Sequence, residues 1–192
     1  MSQVNNSRIS NIDLAPQGHL AIDWARRHSP LVDGFLRERL NDGALAGRRV
    51  AVVVHLEAKT AFLATALADA GAEVVVAGSN PHSTRDEIAA ALVDRGIQVH
   101  STRGSGYEAW EKDLLSIADT GPEFIIDDGA ELTIRMASQR PDLFSELRGI
   151  TEQTTTGVSR LVELAKRDRL PCPALAANDA ACKHLFDNKY GT

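Results

Sequence analysis

RRVAVVVHLEAKTAFLATALADAGAEVVVAGSN, residues 48–80, decides the fold of this chain. It holds two short apolar runs, VAVVV at 50–54 and VVVAG at 74–78, rich in β-branched residues and bounded by polar ones. Such runs read as strands buried on both faces. Between them AKTAFLATALADAG, 58–71, reads as a helix stopped by Gly71. Strand, helix, strand in this order makes a parallel βαβ unit with a right-handed crossover.

The alternation continues downstream. STRDEIAAALVDRG, 83–96, is a helix with Ser83 or Thr84 expected as N-cap and Gly96 as its stop. IQVHST at 97–102 and EFIIDD at 123–128 are strands, separated by the helix YEAWEKDLLSIAD at 107–119. GAELTIRMAS and TTTGVSRLVELAKRD are further helices, with strands RGIT and PALAAN around them. Upstream, residues 16–42 read as two helical stretches, and residues 1–11 as a flexible arm. The expected fold is α/β: a Rossmann-like, doubly wound parallel sheet with helices on both faces, preceded by N-terminal helices. A single domain is expected over residues 12–192.

Composition narrows the function classes. With 43% apolar and 24% charged residues, the chain can bury a core and is not disordered. A net charge of −5 without a basic run argues against nucleic acid, because a phosphate-backbone binder needs a positive face. The apolar runs are too short to span a bilayer, and the polar N-terminus lacks a signal core. Cys172 and Cys182 have neither metal-ligand nor redox spacing, and the histidines show no metal pattern either, so the chain reads as cytoplasmic and metal-free.

In open parallel sheets ligands bind beyond the carboxyl ends of the strands, so the residues after each apolar run are the candidates. His55, Glu57, Lys59 and Thr60 follow the first run, and Ser79, Asn80, Ser83 and Thr84 the second. Asp127 and Asp128 follow FII; Glu152, Gln153, Thr154, Thr155 and Thr156 follow RGIT. Asn178 and Asp179 follow ALAA, with Lys183 and Asp187 one and two helical turns on. One of the two aspartates can cap the following helix, which leaves the other free for chemistry. Hydroxyls at a helix start suit a phosphate or ribose as well as a cap. Lys183 and Asp187 can equally be a solvated ion pair. Gly104-x-Gly106-x-x-Ala109, with Asp127 beyond it, outlines a loose dinucleotide fingerprint, or an ordinary turn before a helix.

HLEAKTAFLATAL, SNPHSTRDEIAAAL, FIIDDGAELT, GITEQTTTGVSRL and NDAACKHLFDNKYGT together resemble the substrate-binding domain of S-adenosyl-L-homocysteine hydrolase, over about residues 12–192. The resemblance implies reversible, NAD-dependent hydrolysis of S-adenosyl-L-homocysteine to adenosine and homocysteine, by a homo-oligomer in the complete protein. It implies that Lys183 and Asp187 hold the 3′ and 2′ hydroxyls of the ribose. Asp128 is implied as acid or base near the 4′ and 5′ carbons, and His55 as the group that handles the departing thiol and entering water. Glu57 and Lys59 fall near the base, Thr60 among the substrate contacts, and Gln153 near the ribose. Thr154, Thr155, Thr156 and Asn188 fall near NAD.

The chain also departs from the family pattern. Gln153 replaces the second of two adjacent glutamates, and Arg85 stands where a glutamine is usual. Lys59 donates but cannot accept, so it suits a hypoxanthine carbonyl better than an adenine amino group. FDNKYGT, 186–192, ends where the family enters a hinge and a separate NAD-binding domain. The expectation is therefore an N-terminal part, inactive alone and retaining no NAD. The alternative is a stand-alone nucleoside-binding module or pseudoenzyme that works with a separate NAD-domain chain.

Overall fold

The computed structural model describes residues 2–4, 6–187 and 189. Strands β1 (Ser2–Val4), β2 (Ser7–Ile9), β3 (Arg49–Val54), β4 (Glu73–Gly78), β5 (Gln98–His100), β6 (Phe124–Asp127), β7 (Gly149–Glu152) and β8 (Ala174–Ala176) form one sheet in the order β1-β2-β5-β4-β3-β6-β7-β8. Every neighbouring pair is parallel except β1 with β2. The order reverses at β3, whose neighbours are β4 and β6, and this places a crevice beyond the carboxyl ends of those strands. The helices are α1 (Ala15–Arg27), α2 (Arg37–Leu40), α3 (Ala58–Asp69), α4 (Asp86–Asp94), α5 (Tyr107–Ala118), α6 (Glu131–Gln139), α7 (Pro141–Ser145) and α8 (Thr155–Lys166). A π-helical turn at Leu31–Leu36 leads into α2. Among the described residues, no helix is long and apolar enough to cross a membrane.

The apolar runs sort by alternation into two cores, one on each side of the sheet. Val50, Val52 and Val54 of β3 face α1, α3 and α4, where they meet Ile22, Phe62, Ile88 and Leu92. Ala51 and Val53 face the other way, into a core with Ile117 of α5, Met136 of α6 and Leu161 of α8. This two-sided burial is why the runs are continuous in sequence rather than alternating.

Two local expectations change. Residues 7–9, expected within a flexible arm, form β2 on β5, with Ser7 and Ile9 buried. The Ser7 hydroxyl accepts a hydrogen bond from the Val99 amide at 3.0 Å, which ties the strand down. The N-cap of α4 is Arg85 rather than Ser83 or Thr84, and its side chain makes no cap bond. The two hydroxyls are directed elsewhere, Ser83 to the Asn80 carbonyl and Thr84 to Ser101. Of the two readings of the Gly104-x-Gly106 turn, the dinucleotide one needs a ribose-binding acid, and Asp127 is not free to be it. It is fully buried and accepts from the Thr133 amide and hydroxyl at 2.9 and 2.7 Å, capping α6.

Candidate functional site

The polar groups gather at the carboxyl ends of β3, β4, β6 and β7. His55 immediately follows β3. Its carbonyl accepts from the Thr60 hydroxyl at 2.7 Å and the Glu57 amide at 3.0 Å, so the tight turn into α3 sets the direction of the imidazole. The ring spans two partners. Nδ1 lies 2.5 Å from Ser83 Oγ, and Nε2 lies 3.3 Å from Asp128 Oδ2. Ser79, after β4, donates to the same Asp128 oxygen at 2.7 Å. The imidazole is half exposed while the Asp128 carboxylate is nearly covered, so a ligand reaches the histidine more readily than the acid behind it. A histidine and a carboxylate in contact at a crevice mouth can pass a proton between a ligand and each other.

The neighbouring aspartates divide the work foreseen for them. Asp127 caps α6, and burial pushes its carboxyl up to about 7, with the nearby Glu152 charge adding to the effect and the Thr133 hydrogen bonds opposing it. Asp128 is the one turned to the crevice, 3.3 Å from His55.

Lys183 comes to the same rim from the last described segment, a π-helical turn at Lys183–Asp187. Its ammonium donates to the Gln153 carbonyl just past β7. The Gln153 amide in turn donates to the Asp127 carbonyl at 3.2 Å, so Lys183, Gln153, Asp128 and His55 lie along one contiguous ridge. The Thr155 hydroxyl donates to Asn178 Oδ1 at 3.3 Å and ties the segment after β8 to the start of α8. The Asp187 side chain and all of Asn188 lie outside the described residues.

Several expected ligand contacts have structural work as well. Glu57 is the N-cap of α3, its Oε1 accepting from the Lys59 and Thr60 amides at 3.0 and 3.2 Å. Lys59, in the first turn of α3, is exposed. The Thr154 hydroxyl is committed inside the protein: it donates to Glu152 at 2.7 Å and accepts from the Gly129 and Gly157 amides. Thr155 and Thr156 are exposed at the open end of α8. Ser79 and Ser83, which bracket the His55–Asp128 pair, are visible in sequence as strand-end hydroxyls, but nothing in spacing marks them as its partners. Among the described residues, no group of three or more His, Cys, Asp or Glu side chains is placed to hold a metal ion.

Comparison with known proteins agrees with this geometry. The family model for S-adenosyl-L-homocysteine hydrolase matches residues 6–143 and 136–190. The S-inosyl-L-homocysteine hydrolase of Methanococcus maripaludis is 42% identical over 186 residues, which is 97% of this chain and 45% of that protein. The adenosylhomocysteinase of Thermotoga maritima is 42% identical over 175 residues, 91% of this chain and 43% of its own length. The S-inosyl-L-homocysteine hydrolase of Methanopyrus kandleri is 44% identical over 96% of this chain and 43% of that protein. The chain thus spans less than half the length of these curated relatives. A family model that covers nearly every described residue, together with a His–Asp–Lys ridge at the sheet's switch point, shows that the chain belongs to the S-adenosyl-L-homocysteine hydrolase family.

Proposed function

We propose that this chain supplies the nucleoside-binding part of an NAD-dependent hydrolase that cleaves the thioether of an S-nucleosyl-homocysteine. The observation that carries this reading is the contact of His55 Nε2 with Asp128 at 3.3 Å, on the ridge that also brings Lys183 to Gln153. In this reading Lys183 and Asp187 bind the ribose 3′ and 2′ hydroxyls, and the lysine orients the hydroxyl that must lose its proton. Asp128, backed by Ser79, holds or moves a proton at the 4′ and 5′ carbons. His55 gives a proton to the departing homocysteine sulfur and takes one from the entering water. Exposed hydroxyls at the start of α8 fit a polar nucleotide approaching from outside the domain, so Thr155 and Thr156 would hold NAD, with Asn188 beside them. When bound, NAD supplies the hydride acceptor for the 3′ carbon. In this reading NAD is held largely by a part outside this chain, and the chain alone turns over no substrate.

The base is the finer question. Lys59 is an exposed donor in the first turn of α3, and hypoxanthine offers it a carbonyl oxygen where adenine offers an amino group. We therefore favour the S-inosyl compound as substrate, in keeping with the names of two of the relatives. Titrating ¹⁵N-labelled chain with inosine and with adenosine tests both levels. Shifts at His55, Asp128 and Lys183 are expected with each nucleoside, stronger with inosine. No shift with either overturns the functional reading, and tighter adenosine binding overturns the base preference alone.

A further inference from the structure

Glu152 closes β7 and is fully buried, yet it takes no part in the ridge described above. Its Oε1 accepts from the Gly129 amide at 3.1 Å and from the Thr154 amide and hydroxyl, both at 2.7 Å. Its Oε2 accepts from the Ala130 amide at 2.8 Å. These donors belong to two different turns. Gly129 and Ala130 follow Asp128, with φ of +75° and +54°, so two consecutive residues are left-handed, and the second carries a Cβ that disfavours the conformation. Thr154 opens α8. Gly157 has no side chain where one would collide: a Cβ there would lie 2.1 Å from the Glu152 carboxyl carbon. Arg160 of α8 reaches back to the Gly129 carbonyl at 2.7 Å and joins the same two turns from outside.

We propose that Glu152 is a positioning residue: by holding residues 129–130 left-handed and Thr154 in place, it sets the direction of Asp128 toward His55 and locks the substrate-side and helix-side turns into one unit. The two turns follow the neighbouring strands β6 and β7, and the carboxylate gathers donors from both, beside the direct bonds from the Gly129 amide to the Thr154 hydroxyl and from Arg160 to the Gly129 carbonyl. A buried acceptor with four donors has no solvent to replace it, so its loss frees both turns together. The proposal rests on the functional reading only in taking Asp128 to meet the ligand.

The test uses Glu152→Gln, which puts an amide NH₂ against an amide N–H, and Gly157→Ala, which strikes the same carboxyl from the other side. Ile22→Ala, in the opposite core, serves as a control for general destabilisation. Backbone hydrogen exchange is measured on all three at temperatures equally far below their melting points. The expected result is exchange at least tenfold faster at residues 128–133 and 154–157 in both test variants, and unchanged relative protection there in the control. Acceleration of one turn only, or the same pattern in the control, overturns the proposal. Thr154→Val, a milder cut in the same network, takes the place of either test variant that does not fold, with the same expected and overturning results. Inosine titration of the same samples is expected to show at least tenfold weaker binding in the test variants. Unchanged affinity also overturns the proposal. If the unaltered chain binds no nucleoside, the functional reading falls, while the exchange pattern still decides whether Glu152 locks the turns.

Discussion

The two faces of the sheet differ most over β6, β7 and β8. On one face the row Val53, Asp127, Glu152, Ala176 lies side by side across four strands, next to the row Ala51, Ile125, Ile150, Ala174. Helices α6 and α8 cover this face, so Ile125 and Ile150 are buried and the two carboxylates are sealed beneath the helix starts they serve. On the other face the row Val52, Ile126, Thr151, Leu175 passes from full burial at Val52 to 67% exposure at Leu175. Helices α1, α3 and α4 pack over β3, β4 and β5 on this side, and beyond them Leu45, Phe124, Ile126 and Leu175 line an open apolar groove of about 400 Å³. Strands of similar apolar content therefore contribute unequally. What matters is whether a helix excludes water from the face, since stabilisation follows area removed from water.

The sharpest way to break this contrast is to truncate one residue on each face. Ile125→Ala, on the covered face, is expected to cost about 2–5 kcal/mol in urea unfolding. Leu175→Ala, on the open face, is expected to stay within about 0.5 kcal/mol. Equal losses would mean that the open groove is sealed in solution. Next in size is Thr154→Ala, which removes an N-cap hydroxyl together with its bonds to Glu152 and Gly129, at about 1–2 kcal/mol by the same measurement.

A smaller and opposed pair of effects depends on pH. Asp127 has its folded pKa raised to about 7 from 3.8 by burial, so it favours the fold below about pH 4 and loses that contribution as pH rises to about 7. His100 is lowered from 6.5 to about 4, by burial first and then by the Arg8 charge. It favours the fold above 6.5 and loses that contribution as pH falls toward 4. The two slopes oppose each other between pH 4 and 6.5. His100→Gln is expected to expose the Asp127 slope, with the melting temperature falling as pH rises from about 4.5 to 7; a flat or rising profile would contradict it. Smallest of all, Leu175→Ser is expected to leave the melting temperature nearly unchanged while reducing self-association in sedimentation velocity, because it breaks an exposed apolar groove.

Much of the frame is legible in the chain. The runs at 50–54, 74–78 and 124–126 are strands because nothing but a two-sided sheet explains continuous apolar residues of that length between helices. The strand-end rule then points to His55, Asp128 and the threonines. That one of Asp127 and Asp128 caps a helix also follows from the sequence, but which one does not. Consecutive strand residues point to opposite faces, and only the packing shows which face is dry. The strand at Ser7–Ile9 is not legible, because three residues are too few to show a period.

The sequence by itself determined the alternation of strands and helices, the two-faced burial of the central strands and the family to which the segments belong, because these rest on local periodicity and on residues adjacent in the chain. Only the tertiary structure decided that Asp127 is sealed and Asp128 turned to the crevice, that the Thr154 hydroxyl is committed within the protein, and that Glu152 joins two turns. Those outcomes depend on which groups lose water together and which donors converge on one buried oxygen, and neither can be read from spacing along a chain.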